Sequence, residues 1–235
     1  MDPGSRAKTH KHRQFVRLAL LEGDGAGKFC AFSNRSRYYR RMGKNRLEAF
    51  SDGVLAILIT IMVLELKTPH GGGIDALKPM IPILMNYVLS FIYIGIYWNN
   101  HHHLFHVTKE VTAGMLWANL HLLFWLSLIP FATSWMAENH AAPTPTAGFG
   151  VVLLMAGIAY YILQQIIVAR QGPDSAIAQA LGWDWKGHLS PLLYMAAVPL
   201  AFVNPWISNA VYALVALLWL VPDRRLERII RSSSR

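Results

Sequence analysis

The chain has 235 residues, of which 54% are hydrophobic and only 15% charged, with a formal net charge of +9. Twelve of its 22 lysines and arginines lie between Arg6 and Arg46 and five between Arg224 and Arg235, so the middle is nearly uncharged and would aggregate as a water-soluble domain. The excess positive charge therefore reads as flanking charge beside membrane spans, not as a nucleic-acid surface.

Residues 1–45 read as a basic, disordered cytoplasmic extension. Within it, Phe15 to Leu21 is too short for a signal peptide and lacks a small-residue cleavage site. Gly23-Asp24-Gly25-Ala26-Gly27-Lys28 lacks the spacing of a phosphate-binding loop, the hydroxyl residue that follows its lysine and the strand that precedes it. Cys30 is the only cysteine, which excludes an intrachain disulfide and a thiolate metal cluster.

Four apolar runs follow, about Leu47 to Leu66, Met80 to Trp98, Val111 to Trp135 and Gly148 to Val168. Each has the roughly 17 to 25 residues that a helix needs to cross hydrocarbon about 30 Å thick. Helices are the expected form, because an unclosed strand leaves its backbone unpaired in lipid. A fifth stretch, Leu189 to Val221, is too long for one span and is interrupted by Asn204-Pro205. Proline removes a donor and disfavours helix at the residue before it, so this stretch divides into two short helices and the total is six. Charge agrees with that count. With both termini cytoplasmic, Lys109, Arg170, Lys186 and the basic tail fall inside, and only Lys67 and Lys78 fall outside. The expected layout is an all-α, multi-pass membrane protein with a six-helix domain over 46–222 and a basic cytoplasmic tail over 223–235.

The charged mouth of the first helix is the place to look for function. Arg46-Leu47-Glu48-Ala49-Phe50-Ser51-Asp52-Gly53-Val54 puts an arginine, a serine and two acids beside hydrocarbon, where ionisable groups are costly. His101-His102-His103 and His106 follow the second span at the same membrane face. A bond from one of these histidines to Asp52 or Ser51 would lock the start of the first helix. A membrane metalloenzyme is the alternative use of such histidines, but its ligands must converge from several helices, and His70, His121, His140 and His188 are scattered singly.

Along the same helix, Leu47, Phe50, Val54, Ile57, Ile61 and Leu64 recur at alternating spacings of three and four. That stripe fits either a packing face inside one subunit or a hydrophobic constriction where several subunits meet around an axis, which gates by dewetting. Thr60 lies beside it and offers a hydroxyl to an ion; Glu65 at the outer mouth would concentrate cations.

The run from Arg46 to Ile57, continuing through Val63-Leu64-Glu65-Leu66 to Pro69, resembles the first-helix signature of the transmembrane protein 175 family of potassium channels. Tyr97-Trp98-Asn99-Asn100-His101-His102-His103-Leu104-Phe105 resembles the signature that follows that family's second helix. The resemblance implies a potassium-permeable channel in the plasma membrane with no cofactor, no metal and no pore-loop filter; no Thr-Val-Gly-Tyr-Gly run occurs here. One six-helix repeat implies a homotetramer with the first helix lining a central pore. By position, the resemblance assigns Ile57, Ile61 and Leu64 to the constriction and Thr60 to selectivity. It assigns Arg46, Phe50, Ser51 and Asp52 to a structural network with Trp98, Asn99 or a histidine, of which His102 is the favoured one. The long basic amino-terminal extension departs from the family's usual short leader. A secondary transporter is the other class of function to weigh, and it would usually carry an inverted internal repeat, of which the chain shows no convincing copy.

Overall fold

The computed structural model describes residues 43–106, 108, 110–172, 178 and 185–220. The Gly23–Lys28 run, Cys30, Lys109, the basic tail and nearly all of the amino-terminal extension lie outside the described residues. The chain divides into two units, Met1–Asn45 and Arg46–Arg235.

Every regular element among the described residues is helical: α1 (Gly43–Leu64), a 3-10 turn (Ile74–Met80), α2 (Ile81–His106), α3 (Ala113–Ser127), α4 (Ile129–Glu138), α5 (Pro143–Gln171), α6 (Trp185–Leu200) and α7 (Pro205–Leu220). α3 and α4 are one rod broken at Leu128. Pro130 has no N–H to give the carbonyl four residues back, and its ring crowds that carbonyl. The six expected rods are therefore present. Four are long and apolar enough to cross a membrane, while α6 and α7 have 16 residues each, or about 24 Å at 1.5 Å per residue. Their junction is capped locally: the Asn204 side chain accepts the Trp206 N–H at 2.9 Å, and Pro205 takes the first helical position, where no N–H is needed.

Boundaries differ from the sequence reading at several ends: α5 starts five residues early, at Pro143, and α6 four early, at Trp185, and the end of α2 differs most. The second span, expected to end at Trp98, continues as helix through the histidines to His106. No proline or glycine lies between Trp98 and His106 to stop it, so three consecutive histidines point in three directions about 100° apart. Thr112 caps α3 by accepting the Met115 N–H, and His140 and Ala141, with φ of 49° and 54°, reverse the chain between α4 and α5.

The core is apolar and knitted by buried hydroxyls, as suits helices that hydrocarbon alone would not drive together. The Tyr93 hydroxyl donates to the Tyr212 carbonyl at 2.6 Å and receives the Tyr194 hydroxyl at 3.2 Å, joining α2, α6 and α7. The Tyr212 hydroxyl reaches the Thr146 carbonyl of α5. It passes so close to Gly150 that a Cβ there would collide with it, which is why that turn of α5 carries no side chain. Between α2 and α4, Ser90 and Thr133 share a 2.6 Å hydroxyl contact.

Candidate functional site

α1 has two faces of opposite character. Leu47, Ser51, Leu55, Leu58 and Met62 are buried against the core at helical spacing. On another side Phe50 (53% exposed), Ile57 (57%), Ile61 (40%) and Leu64 (80%) touch little of the rest of the chain, and Val54 is half-buried. The stripe seen in the sequence is therefore not the internal packing face of α1. Leu47 leaves it, because ten residues at about 100° each carry Leu47 some 80° off the line of Ile57.

The amino-terminal part of α1 is clamped by a chain of directed hydrogen bonds. The Ser51 hydroxyl donates to the Leu47 carbonyl at 2.9 Å and accepts the Asn119 amide N–H at 3.0 Å. The Asn119 carbonyl lies 2.8 Å from His101 Nε2, and since an amide oxygen only accepts, that nitrogen carries the proton. All three side chains are buried, so α1, α2 and α3 are joined inside the protein. The histidine in this network is His101 and not the favoured His102. The buried line of α2 runs Tyr93, Ile94, Tyr97, His101, Leu104, Phe105, and His102 is one step off it.

A second contact lies at the rim. The Trp98 indole N–H donates to Asp52 Oδ1 at 3.0 Å, and His102 stacks on Trp98 with ring centroids 6.2 Å apart. Arg46 and Asn99 are exposed outside both contacts. The Thr60 hydroxyl donates to the Ile57 carbonyl at 2.8 Å, so what it presents outward is oxygen lone pairs, a donor set suited to a cation.

At the other end of α1, Glu65 Oε2 accepts the Ser134 hydroxyl of α4 at 3.1 Å, and Lys67 pairs with Glu138 at 2.8 Å. The Glu138 carboxylate, and after it the charge of Glu65, hold the Lys67 ammonium above the ordinary lysine value. Glu65 thus leans toward α4 of the same chain. No group of three His, Cys, Asp or Glu able to hold a metal occurs among the described residues. Sequence reading missed Asn119, the central member of the clamp. Its signal was present: a lone carboxamide in an apolar run must find a partner on another helix.

Comparison with known proteins adds to this geometry. Residues 46–130 match the family described as "Endosomal/lysosomal potassium channel TMEM175". A protein of Chryseobacterium sp. (strain P1-3) named a potassium channel is 50% identical over 192 residues, 82% of this chain and all of that one. A potassium channel of Streptomyces collinus is 33% identical over 74% of this chain and 90% of its own length. The crystal structure of a lysosomal potassium-selective channel TMEM175 homolog from Chamaesiphon minutus superposes with a TM-score of 0.68 at 26% identity, covering 77% of this chain and 97% of that one. Fold and relatives together define a multi-pass membrane channel, not an enzyme. The chain belongs to the TMEM175 family.

Proposed function

We propose that the chain forms a potassium-permeable channel as a homotetramer in the plasma membrane, with both termini cytoplasmic and α1 lining the axis. The observation that carries this reading is the exposed stripe Phe50, Ile57, Ile61, Leu64 on a helix whose opposite face is locked into the subunit. Around a fourfold axis, Ile57, Ile61 and Leu64 form stacked hydrophobic rings that hold the pore dry at rest. Thr60 supplies hydroxyl oxygens between the rings, and Glu65 adds negative charge at the outer end. The clamp of Ser51, Asn119 and His101, with Asp52 on Trp98, fixes the rotation of α1 and hence which residues face the axis. Support comes from the potassium channels of Chryseobacterium and Streptomyces that the chain matches over most of its length. The channel needs no cofactor, so the purified chain alone should conduct.

The test is potassium flux from proteoliposomes carrying Ile57→Asn or Val63→Asn. Both residues are exposed, but they lie about 120° apart around the helix. Ile57→Asn is expected to raise basal flux with the tetramer intact, because a polar ring lowers the dewetting barrier. Val63→Asn should leave flux unchanged. Equal flux from the two variants would return the stripe to a lipid-facing or scaffold role. Unitary steps in planar bilayers are expected of the same protein, and coupled transport without steps would favour a transporter.

A further inference from the structure

Behind the carboxy-terminal end of α1 lies a cleft of about 420 Å³ between α1, α2 and α4. Its walls are mostly apolar, with Met62, Ile83, Tyr87 and Pro130 among them, and Glu65 and Glu138 stand in its lining. Ile83, Ala137 and His140 are shared with a second cleft of about 310 Å³ that runs on to Trp206 of α7. The crevice is thus long, greasy and open at one charged end. Its charge does not balance. Two carboxylates, Glu65 and Glu138, face one ammonium, Lys67, with His140 also in the lining; Lys67 pairs with Glu138, and Glu65, which accepts the Ser134 hydroxyl, acts on it only from farther off.

The geometry points to a binding site for a monocationic amphiphile, with an ammonium group at Glu65 and a short alkyl tail laid along Ile83, Tyr87 and Ala137 toward Trp206. An anionic amphiphile meets two carboxylates there, and a neutral one adds nothing to offset the excess of carboxylates over the single ammonium, so a cation is the complementary occupant. Size agrees, since clefts of roughly 300 to 1,000 Å³ hold small organic ligands. Met62 and Glu65 share their helical turns with Ile61 and Leu64, so an occupant presses on the same part of α1 that carries the exposed stripe.

Photoaffinity labelling tests the site whether or not the protein conducts. The full chain in nanodiscs is irradiated with octylammonium bearing a terminal diazirine, or with the matching octanol, and labelled peptides are mapped by mass spectrometry. Octylammonium is expected to label the segments around Ile83–Tyr87 and Pro130–Ala137. Yield there should fall at least about threefold with the neutral probe and in Glu65→Gln, in line with one exposed charge interaction. It should fall as far in Ala137→Phe, which fills the crevice without changing charge. If that variant does not fold, Leu66→Trp narrows the same cleft from its edge. Equal labelling by both probes, label spread over other exposed apolar residues such as Phe202 and Leu214, or full labelling in the filled variants would overturn the proposal. So would a wild-type protein that takes no label in the crevice, as it would if a neighbouring subunit occupies the cleft.

Discussion

The two ends of α1 are held by different physics. At the amino-terminal end three buried side chains from three helices form a chain of hydrogen bonds, each with its donor and acceptor roles assigned. At the carboxy-terminal end the ties are Glu65 to Ser134 and the Lys67–Glu138 pair, whose side chains are 81% and 56% exposed, beside an open cleft. A buried network is costly to break because each orphaned group stays desolvated, whereas exposed ion pairs exchange readily with water and are screened by salt. One end therefore sets the rotation of α1, and the other leaves it room to move. A gate at Ile61 and Leu64 would sit at the movable end.

Breaking the buried end should do the most damage. Asn119→Ala strands both the His101 N–H and the Ser51 oxygen, at about 1 to 3 kcal/mol for each unsatisfied group. We expect a marked fall in thermal midpoint and in the fraction assembled, read by size-exclusion chromatography and unfolding scans. A variant that assembles with an unchanged midpoint would mean that the clamp is incidental. Asp52→Ala loses one bond to an exposed indole, so a cost of about 0.5 kcal/mol is expected, at the low end for a single hydrogen bond. Its midpoint should fall measurably less than that of Asn119→Ala, and the reverse ranking would move the weight of the clamp to the rim.

At the exposed end the expected effects are smallest. Lys67→Gln should shift the midpoint only at low salt, and the shift should vanish when salt is raised. The sign of the pH effect follows from Glu138, which raises the affinity of Lys67 for its proton. The contribution of the pair is complete below the ordinary lysine value and fades only as pH rises through the raised one. Between about pH 7 and 9 the difference between wild type and Lys67→Gln should therefore stay flat, below the ordinary lysine pKa of about 10.4. A difference that shrinks steadily across that range would show that Lys67 is losing its proton early and that Glu138 does not hold it.

Much of this architecture was legible in the chain. Apolar runs of spanning length and the Asn204-Pro205 break give six rods, because hydrocarbon tolerates few other backbone solutions. The break at Leu128 went unread, although Pro130 is its evident cause. Three consecutive histidines could not be told apart, since each is as compatible with the motif as the next. Only the packing line through Tyr97 and Leu104 selects His101. Leu47 fell off the stripe in part because an alternating three-and-four spacing follows a 3.5-residue period, whereas a straight helix turns every 3.6 and drifts about 20° per seven residues. The direction of Glu65 lies beyond any periodicity, because α1 has ended at Leu64 and its side chain answers to Ser134, 69 residues away.

The clamp also has an electrical meaning. Its links run one way, from the His101 nitrogen through the Asn119 amide to the Ser51 hydroxyl and the Leu47 carbonyl. A relay of hydroxyls or waters can pass a proton along by each member taking one and giving one, but a carboxamide holds its hydrogens at working pH and its oxygen only accepts. Asn119 in the middle therefore makes this polar seam an insulator: it joins three helices across the protein without opening a wire for protons through its wall.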